Sequence, residues 1–199
     1  MAQISSPDNT KRRLLLGATS IVGAAGVAFV ATPFLTSMAP SARAKAAGAP
    51  VEVDISKLEP GMMITVEWRG RPVWIIRRTK DMLDNLSKAA EKVADPQSAQ
   101  PLQPDYARNE TRSIKPEILV LVGICSHLGC SPSQKMEIGP ASGLGDDWPG
   151  GFYCPCHGSK FDLAGRVFKG MPAPVNLTVP PHAYLADSRL VVGADTKGA

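Results

Sequence analysis

Two short stretches hold all four cysteines and two of the three histidines of this 199-residue chain: Cys125-Ser126-His127-Leu128-Gly129-Cys130 and Cys154-Pro155-Cys156-His157-Gly158-Ser159. Structural cysteines behave as small buried hydrophobes and scatter through a core, so sorting into two boxes points to one shared site. Three chemistries use such donors. A structural zinc ion would take Cys125, His127, Cys154 and His157 in a tetrahedron and would leave Cys130 and Cys156 unexplained. A thiol redox pair at Cys154-Pro155-Cys156 has one intervening residue where such motifs have two, and it leaves the histidines idle. A [2Fe-2S] cluster would take two cysteines on one iron and two histidines on the other. His182 has no box around it and is expected to be an ordinary surface or turn histidine.

The elements that must hold these boxes are mostly strands. Residues 116–124, PEILVLVGI, predict a buried strand running into the first box. Residues 51–58, VEVDISKL, and 62–78, MMITVEWRGRPVWIIRR, alternate or are β-branched around Arg69-Gly70-Arg71-Pro72 and look like a hairpin. From Lys80 to about Val93, apolar residues at Met82, Leu83, Leu86, Ala89, Ala90 and Val93 mark one helix, with Thr79 as its cap. Residues 175–193 predict one or two closing strands after a proline-rich turn. Between the boxes, Ser131–Tyr153 is rich in glycine and proline with little periodicity; a loop that long, fixed at both ends by a site, is expected to be functional.

Ahead of this part lies a different kind of segment. After Lys11-Arg12-Arg13 no charged residue occurs until Arg43, and Leu14–Met38 is apolar or small throughout. About 25 helical residues rise roughly 37 Å, enough to cross a hydrocarbon core of about 30 Å with some tilt. The three cations before the span put the N-terminus in the cytoplasm and everything after Met38 outside. Ala42-Arg43-Ala44 fits a cleavage pattern, but so long an apolar core favours an uncleaved anchor. The paired arginines also resemble a twin-arginine signal, which exports proteins already folded. Residues 39–50, APSARAKAAGAP, read as a linker whose alanines turn helical when held. Of the 22 Lys/Arg and 18 Asp/Glu, residues 1–49 hold five and one, so residues 50–199 carry 17 of each. A formally neutral domain gives no sign of the basic patch that nucleic acid requires.

The sequence C-x-H-L-G-C followed by C-P-C-H-G-S resembles the two cluster boxes of Rieske iron-sulfur proteins at every defining position. The resemblance implies a mainly β, Rieske-type antiparallel domain at 51–199 with one helix and an inserted cluster-binding subdomain at about 124–175. It follows a cytoplasmic segment at 1–13, a transmembrane helix at 14–38 and a flexible hinge at 39–50. One [2Fe-2S] cluster per chain is implied, with Cys125 and Cys154 on one iron and His127 and His157 on the other. A Cys130–Cys156 disulfide is also implied, tying the two loops together in a compartment where disulfides persist.

Neutral imidazoles leave the oxidised cluster with a charge of about zero where four thiolates leave about −2. Rieske potentials accordingly lie at roughly −150 to +300 mV rather than near −400 mV. Backbone amides and Ser159 donating to sulfur would raise the potential further. Free ring nitrogens on the histidines would couple electron to proton uptake.

Within the Rieske proteins, the single span, the Ala-rich hinge, EWRGRPVWIIRRT at 67–79 and Gly170-Met171-Pro172-Ala173-Pro174 are similar to the iron-sulfur subunits of bacterial ubiquinol-cytochrome c reductase, from about residue 10 to the end. That likeness implies an inner-membrane, single-pass subunit of a proton-translocating complex, its Rieske domain periplasmic. Such a subunit takes an electron, with a proton, from ubiquinol held by a cytochrome b subunit and passes it to a cytochrome c-type heme. His157 would be the hydrogen-bond partner of quinol and His127 the other exposed ligand. Two positions depart from the pattern. Phe161 stands where many members carry a tyrosine donating to a ligand sulfur, and Met171 lengthens the loop before Pro172. The alternatives are an arsenite oxidase small subunit, similarly boxed, and a zinc-stabilised, membrane-anchored interaction module. Soluble dioxygenase ferredoxins lack the extra cysteine pair and the span.

Overall fold

The computed structural model describes residues 8–194, and the chain divides into two compact units, Met1–Ala46 and Ala47–Ala199. In the first unit, α1 runs Asn9–Ser37. It starts earlier than the apolar run because the Asp8 carboxylate accepts the Thr10 and Lys11 N–H groups at 3.0 and 3.2 Å, capping the helix ahead of the cationic residues. Pro33 lies inside α1. Lacking an N–H, it leaves the Phe29 carbonyl without its usual partner. None of the side chains of α1 is buried. With Phe29 82% exposed and a mean hydropathy of 2.1 over its most apolar window, α1 is long and apolar enough to cross a membrane. The linker is helical over Ala42–Ala47 (α2), and the Ser41 hydroxyl accepts the Ala44 N–H at 3.1 Å.

The second unit is built on three antiparallel three-stranded sheets. The central one joins β2 (Met63–Trp68), β3 (Arg71–Arg77) and β4 (Ile118–Val122). The inner strand β3 and the edge strand β4 are both buried on their two faces. Trp74, Ile76, Leu119 and Leu121 pack into one core, and Val73, Ile75, Ile118, Val120 and Val122 into another. This is why β4 is a continuous apolar run with no alternation. The second core is closed by Val53, Leu190 and Val192 from a sheet ordered β1 (Val51–Asp54), β9 (Arg189–Val192), β8 (His182–Ala186). The first core is closed by β5 (Ser133–Lys135), β6 (Gly151–Tyr153) and β7 (Lys160–Phe161), which form the third sheet and carry the second box between β6 and β7. The antiparallel sheets and the long apolar α1 bear out the mainly β reading with one N-terminal apolar helix.

Three local expectations need correction. The hairpin consists of β2 and β3 alone, turning at Arg69-Gly70, whose φ values of 53° and 69° suit a tight two-residue turn; Arg71 and Pro72 already belong to β3. Residues 51–54 pair with β9 instead. The stretch between the boxes is not plain loop, since β5 and β6 both fall inside it. The third correction is His182, which is 1% exposed, its Nδ1 2.9 Å from the Pro180 carbonyl and its ring edge-on to Tyr106. It is a core histidine, and burial lowers its pKa.

The helix α3 runs Lys80–Ala89 and continues as a 3-10 turn to Lys92. The Thr79 hydroxyl accepts the Met82 N–H at 3.2 Å. Its buried Leu86 packs with Leu163 and Ala164, just beyond the second box.

Candidate metal centre

The two boxes fold into the same loop. In the first, Cys125 N–H donates to the Cys130 carbonyl at 2.7 Å and Gly129 N–H to the Cys125 carbonyl at 3.1 Å. In the second, Cys154 N–H donates to the Ser159 carbonyl at 2.8 Å and Gly158 N–H to the Cys154 carbonyl at 2.9 Å. Each loop therefore closes on itself over six residues. Each closes through a glycine with φ near 80°, 84° at Gly129 and 78° at Gly158. A side chain would strain that left-handed backbone even though open space surrounds Gly129.

The loops are anchored at their roots. Gly123 leads from β4 into the first box, where a Cβ would lie 2.2 Å from the Trp74 ring. Trp74, on β3 beside β4, in turn stacks on Phe152 of β6 at 5.1 Å, so the root of the first box packs through one indole ring on the strand that leads into the second. A Cys130–Cys156 disulfide joins the loops themselves. Residues 170–175 close over both: Ser126 Oγ donates to the Val175 carbonyl at 2.6 Å, and Ala173 N–H donates to Ser159 Oγ at 3.0 Å.

This framework brings together four groups with no structural duty of their own. Cys125 and Cys154 are free thiols, each 2% exposed. The rings of His127 and His157 lie 4.7 Å apart and nearly perpendicular, at 86°. His157 is exposed, His127 is half-buried, and His127 Nδ1 is buried without a partner. Burial pushes the Cys125 thiol up, the neighbouring Cys154 adds to this, and the His127 N–H and the Ser159 hydroxyl pull it back. Two buried sulfurs beside each other and an orphaned imidazole nitrogen are a poor apolar core and a good set of metal donors.

Two soft sulfurs and two imidazoles fit a cluster with one iron of each kind. Cys154 Sγ also lies within 4.8 Å of the sulfurs of Cys130 and Cys156, but those two are bonded to each other and offer no thiolate. Ser159 is fully buried with its oxygen engaged by Ala173, which leaves its hydrogen free for Cys125. Phe161 is fully buried in the same core, and Met171 packs against it. Ser126 and Asn176, whose carboxamide oxygen accepts the Val167 N–H at 2.9 Å, belong to this framework and were not evident from the sequence, since neither stands out by type or spacing.

A family profile described as the Rieske [2Fe-2S] domain matches residues 50–181, and one described as the ubiquitinol-cytochrome c reductase Fe-S subunit TAT signal matches residues 1–41. The chain is 59% identical over 95% of its length, and 91% of the relative's, to the ubiquinol-cytochrome c reductase iron-sulfur subunit of Allochromatium vinosum. It is 43% identical to the protein of the same name from Blastochloris viridis, over 98% of each chain. Among solved structures it is similar to a chain of a hyperthermophilic respiratory Complex III, at 26% identity over 89% of this chain and 98% of that one, with a TM-score of 0.44.

Proposed function

Because this chain belongs to the family of ubiquinol-cytochrome c reductase iron-sulfur subunits, we propose that it carries electrons from ubiquinol, bound by a cytochrome b partner, to a cytochrome c-type heme. The observation that carries this reading is the pairing of two free, buried thiols with two adjacent imidazoles on twin loops. Cys125, Cys154, His127 and His157 hold the group, and a [2Fe-2S] cluster supplies reversible one-electron chemistry at fairly high potential there.

The chain's own residues do the rest. The disulfide and the two self-closing loops hold the four donors in one geometry through oxidation and reduction, so little reorganisation accompanies each electron. Burial of both cysteines keeps water from the sulfurs. Exposed His157 presents its ring to solvent, where it accepts a hydrogen bond from a quinol hydroxyl and takes up the proton released on oxidation. The Ser159 hydroxyl and the His127 amide direct positive dipoles at Cys125. They favour the state with more negative charge on sulfur.

Lys11, Arg12 and Arg13 before the apolar run argue for a cytoplasmic N-terminus and a periplasmic domain. Residues 39–50 serve as the hinge between anchor and domain. The named relatives favour this reading over an arsenite oxidase subunit or a zinc module. The full chain, purified from detergent-solubilised membranes, is expected to show the absorption and EPR spectrum of a mixed histidine–cysteine [2Fe-2S] centre and to co-purify with b- and c-type cytochromes. A colourless, EPR-silent zinc protein would overturn it.

A further inference from the structure

Behind the two cluster loops the core holds charge where apolar packing is the rule. Arg78, Arg112 and Arg166 are 3%, 0% and 1% exposed, and Asp162, at 1%, is the sole acid among the buried residues described. Asp162 pairs with Arg166 at 2.7 Å. The other two guanidiniums are held by neutral oxygens alone. Arg78 donates to the carbonyls of Thr111, Pro116 and Leu163 and to Ser113 Oγ, and Arg112 to Ala164 O and Gln103 Oε1. Carbonyl dipoles satisfy most of the donors, though Arg112 Nε is buried without a partner, and they leave the charge in place. A surplus of two positive charges is thus buried in one layer.

Buried charge is ordinarily neutralised, because desolvation is costly and apolar replacements often serve stability as well or better. Burial does press on both groups: each pKa is lowered to about 10, which still leaves both cationic at neutral pH. The nearest further acids, Asp95 and Glu117, reach solvent and are screened by it.

The layer adjoins the site. Arg112 and Arg78 bond to the backbone of Leu163 and Ala164, which follow the second box in sequence. Gly165 rests against Leu121 and Leu177: a Cβ there would lie 2.8 Å from Leu121 Cδ1 and 3.2 Å from Leu177 Cβ. Leu121, Phe161 and Leu177, each 0% exposed, share one core with Cys125 and Cys154. Between the guanidiniums and the thiols stands apolar packing from which water is excluded. Charge acts strongly across such a medium.

We propose that Arg78, Arg112 and Arg166, partly offset by Asp162, form a fixed cationic layer that raises the reduction potential of the centre by stabilising its reduced, more negative state. The inference rests on the [2Fe-2S] reading above. It makes these arginines positioning charges, acting through space, and gives a reason for retaining ions that stability alone does not favour.

An EPR-monitored redox titration of the detergent-solubilised full chain, with thermal unfolding in parallel, tests it on three variants. Arg112→Gln removes one charge and shifts the midpoint potential down. Arg112→Lys keeps the charge, loses the fork, and leaves the potential near wild type while melting as early as the glutamine variant. Asp162→Asn enlarges the surplus and shifts the potential up, though it too melts earlier. General loosening of the fold would move Arg112→Gln and Asp162→Asn the same way. A common direction, wild-type potentials in both, or a lysine variant shifted as far as the glutamine one overturns the proposal. If one variant fails to fold, the sign in the other decides. A wild-type chain without a Rieske-type signal would refute the cluster assignment instead.

Discussion

The Ser159 hydroxyl serves two partners at once, accepting from the Ala173 amide and donating toward Cys125. Its removal therefore has a signature that a packing change lacks. Ser159→Ala is expected to lower the midpoint potential, because the lost donor favours the reduced state. A contribution of about 1.4 kcal/mol corresponds to roughly 59 mV for one electron. A redox titration showing an unchanged or higher potential would contradict the assignment. At this scale much was legible beforehand: the cysteines, the two box histidines and Ser159 stand together because metal chemistry demands rare residue types at short spacing. His182 was not. A histidine without neighbours of its kind looks like surface, and the long-range approach of Tyr106 makes it core. The buried arginines were hidden for the same reason, since charge in a sequence reads as solvated surface.

Among the elements, the disulfide and the closing sheet make separate predictions. Cys130→Ser unties loops whose bridged cysteines are 26 residues apart. It is expected to cost about 2–4 kcal/mol of stability while the ligands remain. Alkylation of both Cys130 and Cys156 in the native oxidised protein would show that the bridge is absent. In β8, His182 is neutral because burial lowers its pKa. The folded state then binds fewer protons than the unfolded one, so stability is complete above the unfolded value of about 6.5 and is lost as pH falls through and below it. His182→Gln is expected to flatten that acid limb, as denaturant midpoints between pH 7 and 5 would show. The strands β2, β3 and β4 and the helix α3 were visible in local pattern. The partner of β1 was not, because pairing Val51 with Val192 is set by how the chain ends meet, not by anything within residues 51–58. The short β5 and β6 also escaped notice. Three residues carry no measurable period, and these strands exist because the second box needs a platform.

For the whole molecule the segment on which the proposed function turns is residues 39–50. A domain that collects an electron at one place and delivers it at another must travel. The six residues of α2 span about 9 Å as helix and roughly 20 Å extended, so melting α2 alone would supply about 11 Å. A six-residue helix is far below the length that is stable by itself, which keeps such melting inexpensive. Prolines introduced between Ser41 and Gly48 are expected to slow quinol-to-cytochrome turnover several-fold while leaving spectrum and potential unchanged. Turnover equal to wild type, with the subunit still incorporated, would reduce the segment to a tether.

The bond between Cys130 and Cys156 also imposes an order of events in time. Cys154 lies within 4.8 Å of both bridged sulfurs, so among these three sulfurs two of the three pairings would consume Cys154, a ligand in the proposed centre. Oxidation first would therefore scramble a large share of chains. Loading Cys154 first, in a compartment where thiols stay reduced, leaves a single pairing available when the chain reaches oxidising surroundings. An export signal of the kind matched at residues 1–41 suits such a schedule, because it admits cargo that is already folded. On this schedule the closed disulfide would be a mark of history, set most often in molecules that were assembled in that sequence.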